Sequence, residues 1–199
     1  MVSVRRDCAE YLRAGAVATG REMTIIIRLA EPKDAAMLPD IERSAGHLFR
    51  KAPGLEWIAE GHVMTVDQHL PAILAQSAWV ACEGQTPVAF LSAERALDIL
   101  HIREISVLTR MMGKGIGRRL IEAAISAARA SSLSALTLTT FRDVPWNEPY
   151  YQGLGFETLA PERLDARLKS ILAEEVSEGL PEKRRCAMQL NLVLPLPSV

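Results

Sequence analysis

Residues Val107 to Leu120, Val-Leu-Thr-Arg-Met-Met-Gly-Lys-Gly-Ile-Gly-Arg-Arg-Leu, constrain this chain more than any other stretch. They read as a strand that passes through a short loop into a glycine-rich turn, which opens directly into a helix. Glycine takes positive φ without steric cost and leaves no side chain between amide and ligand. The first turn of the helix offers unpaired N–H groups and the positive end of the helix dipole. The join is therefore a phosphate cradle, and Lys114, Arg118 and Arg119 surround it with positive charge.

Three kinds of cradle compete. A P-loop needs G-x-x-x-x-G-K-[ST], and the sequence has no such run. The dinucleotide fingerprint needs G-x-G-x-x-G after a first strand, whereas here Gly113-x-Gly115-x-Gly117 follows half the chain. The third kind fits. The run from Ile105 to Gly117 resembles the acetyl-CoA motif of the GNAT N-acetyltransferase superfamily, a strand ending in [Q/R]-x-x-G-x-[G/A] and then a helix. In the register that keeps G-K-G-I-G aligned, Met112 stands at the Gln/Arg position. That departure removes one side-chain contact and leaves the backbone cradle intact. Arg110 gives a literal R-x-x-G-x-G, but starts the helix too early.

A second segment, Asn147-Glu-Pro-Tyr150-Tyr151-Gln-Gly-Leu-Gly155-Phe156, is similar to the family's N-x…-Y-x-x-x-G-F. The Asn and Tyr are one helical turn apart here and about two in the family. The resemblance covers Thr24 to Leu194. It implies an α/β fold (α+β in some schemes): a single GNAT-like domain with a mixed, mostly antiparallel, twisted sheet of six to seven strands and helices on both faces. Residues 1–23 stand outside as an N-terminal extension, helical or disordered, or an over-long start before Met23. Residues 195–199 form a C-terminal tail.

The element pattern agrees with that expectation. Thr24 to Leu29 reads as a strand. Glu31 to Asp34 turns into a helix with Met37, Leu38, Ile41 and Leu48 on the helical period. Met64 to Gln76 reads as a second helix, interrupted near Pro71. Trp79 to Cys82, a turn at Glu83 to Pro87, and Val88 to Arg95 read as a hairpin. Leu100 to Val107 feeds the cradle. The helix after it is amphipathic, with Ile116, Leu120, Ala124 and Ala128 in one row. Ala135 to Phe141 is a strand, Asn147 to Leu154 a short helix, and Gly155-Phe156 begins another strand. Pro161 opens a helix carrying Leu164, Leu168, Ile171, Leu172 and Val176 on one face. Cys186 to Leu194 gives the last strand. Hairpins followed by a strand–helix–strand unit make a mixed sheet.

Composition excludes several classes. A net charge of −1 over 199 residues argues against a general nucleic-acid binder. Cys8, Cys82 and Cys186 have no metal spacing, and four scattered histidines make no metal motif. No apolar run approaches a membrane span. Reduced cysteines and no signal-peptide core point to the cytoplasm.

The resemblance also implies roles. Acetyl-CoA is the cofactor, held by Met112, Gly113, Lys114, Gly115, Ile116, Gly117 and Arg118, with Asn147 on its arm or capping the helix. The strand Glu104-Ile105-Ser106-Val107 splays from its neighbour, so that Ile105 and Val107 amides pair with the pantetheine like an added strand. Tyr151 aligns with the general-acid tyrosine and also touches the cofactor, with packing as its bland alternative. Glu104 is the candidate base, or binds the substrate ammonium. Strand alternation puts Glu104 on one face with Ile102 and Ser106. A base is needed because a free alkylamine, with a pKa of about 10.4, is mostly protonated near neutrality.

Asp143 and Trp146 follow the strand Ala135 to Phe141, at the sheet end where ligands bind in open α/β folds. They are candidates to anchor and wall a cationic substrate. Phe49, Glu56, Trp57 and Glu60 lie where this fold forms its acceptor wall. The leading expectation is acetyl transfer to the primary amine of a small molecule by direct attack in a ternary complex. Alternatives are acetylation of a protein lysine or N-terminal amine, and an acyl-CoA-binding sensor or structural protein with weak catalysis. A homodimer stays open.

Overall fold

The computed structural model describes residues 24–192. The expected N-terminal extension and C-terminal tail, and Val193 and Leu194 of the strand expected to end the domain, lie outside the described residues. The elements follow in the order β1 (Ile25–Leu29), α1 (Leu38–Gly46), α2 (Val66–Leu74), β2 (Ala78–Glu83), β3 (Thr86–Ala96) and β4 (Ile99–Val107). Then come α3 (Ile116–Ala130), β5 (Ala135–Phe141), α4 (Glu148–Gln152), β6 (Glu157–Thr158), α5 (Ala166–Ser177) and β7 (Arg185–Asn191). They build one seven-stranded sheet in the order β1-β2-β3-β4-β5-β7-β6. Every neighbouring pair is antiparallel except β4–β5, which α3 joins as a parallel crossover.

Alternation along the strands feeds two cores. Trp79 and Ala81 of β2 face α3, where Ile116, Leu120, Ile121, Ala124 and Ala128 are buried. Ala78, Val80 and Cys82 point the other way, onto Leu38 and Ile41 of α1 and Ile73 of α2. A strand buried on both faces needs no polar alternation, which explains its continuous apolar run. In β7, Cys186 and Met188 join the α3 core while Ala187 meets Leu168 of α5. Helices therefore cover both faces, with α3 opposite α1, α2 and α5.

Several element readings need correction. The helix α2 runs unbroken through Pro71. The proline there forfeits only its own bond to the carbonyl four residues back. Thr65 and Gln68 close a capping box at the helix start, and Ile73 and His69 are buried. Pro161 starts only a short 3-10 turn, Pro161–Arg163, and α5 begins at Ala166. Asp165 decides that start, because its carboxylate accepts the Leu168 N–H at 2.7 Å. Leu164 packs beside Leu168 and Leu172 from outside the helix, and Val176 is exposed. Pro32–Met37 is likewise a 3-10 turn ahead of α1, with Met37 exposed. The strand expected from Gly155 is only two residues long.

The most consequential difference lies in β4. Its register against β3 shifts between Ser92 and Ala93: Ala93 pairs with Ile102, while Ser92 pairs with Glu104. Arg103 is the extra residue of a β-bulge. The bulge inverts the alternation, so Leu100 and Ile102 face α3 and so do Ile105 and Val107. Glu104 shares its face with Ser106 as expected, but not with Ile102.

Candidate active site

The β4 and β5 strands pair only from Ile99↔Ala135 to Ile102↔Leu138. Beyond that, β4 stays with β3 as far as Val107↔Ala89, and β5 stays with β7 as far as Phe141↔Arg185. The sheet opens between them. Leu108 donates its N–H to Val88 at 2.9 Å. By antiparallel alternation, Ser106 and Glu104 also turn their backbone groups toward β3. The N–H and C=O groups of Ile105 and Val107 therefore face the opening.

The glycine turn lies at the end of this edge. Gly113 and Gly115 have φ of +75° and +74°, and a Cβ built on either meets nothing within 4 Å. Both positions need glycine for their backbone conformation and leave open space above the turn. No side chain caps α3, whose N-cap is Gly115 itself, so its first-turn amides stay available. Lys114 and Arg118 are exposed here, while Arg119 is drawn off to the Ile25 carbonyl at 2.9 Å. Met112 is half-buried and extended. Ile116 packs into the α3 core. A Cβ on Gly117 would stand 3.0 Å from the Tyr150 hydroxyl and 3.9 Å from Ile105. Gly117 thus admits Tyr150 over the helix start.

Tyr151 is buried, edge-on to Tyr150 at 5.3 Å and to Phe156 at 5.8 Å. Burial, and then the nearby Glu104 charge, hold its phenol far above the ordinary range, so it stays protonated. Glu104 accepts a hydrogen bond from the Ser106 hydroxyl at 2.7 Å. Burial and then the charge of Glu42 push its carboxyl up to about 7. Glu104 and Tyr151 are therefore close enough for the charge of one to act on the other, one poised to exchange a proton near neutrality and the other holding one.

The remaining candidates are placed differently. Asp143 is bound by Arg184, Nε to Oδ2 at 2.8 Å, and Arg184 also donates to the Pro53 carbonyl. Trp146 packs edge-on to Phe49 at 6.0 Å, in a cluster with Phe141, Val144 and Leu55. Asn147 occupies the N-cap of α4 without a side-chain cap bond, and its carbonyl accepts the Tyr151 N–H at 3.1 Å. Glu56 and Trp57 are exposed, and Glu60 is paired with Arg50.

Sequence reasoning missed Glu42 and Ser92, assigned His69 no site role, and passed over Arg185. Glu42 comes from α1, His69 from α2, Ser92 from β3 and Arg185 from β7. Arg185 is 8% exposed, joined to Glu175 by two bonds of 2.7 and 2.8 Å, and lies over the Phe141 ring. These residues meet only through the fold, and no local spacing announces them.

The donor set fits acetyl-CoA: an open glycine cradle with flanking cations for phosphates, and a free strand edge for an amide-bearing arm. Among the described residues no helix is long and apolar enough to cross a membrane.

Comparison with known proteins agrees. The model of the acetyltransferase (GNAT) family matches residues 47–156. The fold is similar to a PaiA N-acetyltransferase from Thermoplasma acidophilum in complex with coenzyme A, at 17% identity and TM-score 0.64, over 85% of this chain and 100% of that one. It is similar to the ribosomal-protein-S18-alanine N-acetyltransferase from Escherichia coli, at 16% identity and TM-score 0.60, over 88% and 99%. It also matches N-acetylglutamate synthase from Neisseria gonorrhoeae complexed with coenzyme A and N-acetyl-glutamate. That identity is 18% and the TM-score 0.61, over 87% of this chain and 36% of that one.

Proposed function

The chain belongs to the acetyltransferase (GNAT) family, and from that premise we propose that it is an N-acetyltransferase acting on the primary amine of a small molecule. Acetyl-CoA is the family's cofactor, and when bound it supplies the activated acetyl group and the leaving thiol. The proposal is supported by the unpaired β4 edge beyond Ile102, with Glu104 on that strand and Tyr151 near enough to feel its charge.

The geometry supports these roles. The amides of Gly113 to Gly117, with Lys114 and Arg118, bind the phosphates. The Ile105 and Val107 backbone pairs with the pantetheine arm, flanked by Ser106. Glu104 binds the acceptor ammonium and takes one proton from it. Tyr151 donates its phenolic proton to the departing sulfur. The acceptor nitrogen loses two protons in all, one released through Glu104 and one that restores the Tyr151 phenol after its own proton has gone to the thiol, as the N–C bond forms and the C–S bond breaks. With no cysteine among these residues, the amine attacks directly in a ternary complex.

The test is initial-rate kinetics of thiol release with acetyl-CoA and a panel of small amines. Double-reciprocal lines that intersect support direct attack. Parallel lines, or a stable acetyl-enzyme, refute it. Turnover confined to peptides refutes the small-molecule acceptor.

A further inference from the structure

The inference rests on the acetyltransferase reading and concerns the acceptor. Two carboxylates occupy the sheet face covered by α1 and α2. Glu104 points there from β4 and is hydrogen-bonded to Ser106. Glu42 points there from α1, with its side chain 17% exposed and both oxygens 3.2 Å from the Met64 N–H. The two feel one another, since the Glu42 charge raises the proton affinity of Glu104. Among the described residues, neither is in a salt bridge with lysine or arginine. Arg185 is committed to Glu175. His69 stands 3.7 Å from Glu42, and burial lowers its proton affinity.

An independent observation marks the same place. Both ring nitrogens of His69 and the hydroxyl of Ser92 are buried and make no hydrogen bond among the described residues. His69 is 1% exposed and Ser92 3%. Ser92 stands directly opposite Glu104 in the ladder, and His69 lies between Glu42 and the edge of Phe90. Native interiors rarely leave such groups unpaired unless a ligand or water meets them. Arg43, paired with Asp40, and His62 act on Glu42 only through space, and partly buried carboxylates with no salt-bridged lysine or arginine are costly until a cation arrives.

We propose that the acceptor is a small dication, an alkylamine with a second cationic centre. Its reacting nitrogen sits at Glu104 and its second ammonium at Glu42, with His69 and Ser92 completing the hydrogen bonds. The second ammonium keeps its charge through the reaction. An acceptor ending in a carboxylate meets repulsion at Glu42.

The experiment measures thiol release by the full chain with acetyl-CoA and five amines. Putrescine and cadaverine are set against butylamine and pentylamine, which lack one ammonium, and against γ-aminobutyrate. A charge-assisted contact predicts kcat/KM for a diamine about tenfold or more above its monoamine. It also predicts γ-aminobutyrate below butylamine. In Glu42→Gln the diamine-to-monoamine ratio falls toward one, mainly through the KM of the diamine. Equal kcat/KM for diamine and monoamine in the wild type overturns the proposal, as does an unchanged ratio in Glu42→Gln. If both monoamine and diamine turn over alike, the small-amine reading stands and only the dication is lost. If acetyl-CoA binds but none of the five is acetylated, both fall.

Discussion

Glu104→Gln separates catalysis from stability, because the carboxyl is costly to the fold when charged. Its proton affinity rises from the ordinary 4.5 to about 7, through burial first and the Glu42 charge second. The folded protein therefore binds more protons than the unfolded chain between those values, and stability falls as pH rises through that window. At about 1.4 kcal/mol per tenfold change in proton affinity, the full cost is about 3 kcal/mol above pH 7. Solvent at the partly exposed side chain reduces this to roughly 1–3 kcal/mol. Glutamine imitates the protonated acid and still accepts the Ser106 hydrogen bond. Urea unfolding should then find variant and wild type close at about pH 4.5, and the variant roughly 1–3 kcal/mol more stable at about pH 8. Activity moves the other way. The wild-type kcat/KM should rise with pH through about 7 as Glu104 ionises, and the variant should lose that limb. A stability gap that ignores pH, or a variant less stable than wild type at the higher pH, would refute the reasoning.

Three further outcomes follow from neighbouring groups. Tyr151→Phe keeps the buried ring and removes the phenolic proton, so kcat should fall by on the order of 10²-fold while acetyl-CoA affinity measured by calorimetry is kept. Wild-type turnover in that variant rules out the acid role. Gly117→Trp places a side chain where the Tyr150 hydroxyl already stands 3.0 Å from a modest Cβ, and should abolish acetyl-CoA binding in a protein with wild-type circular dichroism. Glu175→Gln leaves Arg185 short of its partner in a buried pair and should cost about 3–5 kcal/mol in denaturant unfolding.

Much of the frame was legible because it is written in local periodicity. The β5 strand appears as Ala135 to Phe141 in both sequence and structure, since an apolar, β-branched run can only be a buried strand there. The α3 face was readable from its 3.6-residue spacing, and the cradle from its glycines. What escaped was decided by competition or by long-range contact. Asp165 out-competed Pro161 as the start of α5, because a cap that satisfies an N–H outweighs a favourable φ. Asp143 looked free for a substrate until Arg184, 41 residues on, took its carboxylate. Glu42, His69 and Ser92 come from three elements, and no window of sequence contains them together.

The β4 bulge is the point where fold energetics and chemistry meet. In an uninterrupted strand Glu104 would lie on the Ile102 face, against Leu120 and Ile121, where an unpaired carboxylate costs several kcal/mol. Letting Arg103 loop out disrupts the ladder locally and turns Glu104 toward Ser92 and Ser106 instead. The same step keeps Ile105 and Val107 in the α3 core. The sequence carries a trace of this: apolar residues fall at Leu100 and Ile102, then at Ile105 and Val107, a phase change that a straight strand cannot bury. Past the bulge β4 also leaves β5, so one strand presents three surfaces. Its α3 face packs the core, its opposite face carries Glu104, and its free edge stands unpaired. A titratable carboxyl and an open strand edge are thereby set on one strand without burying a charge among hydrocarbons.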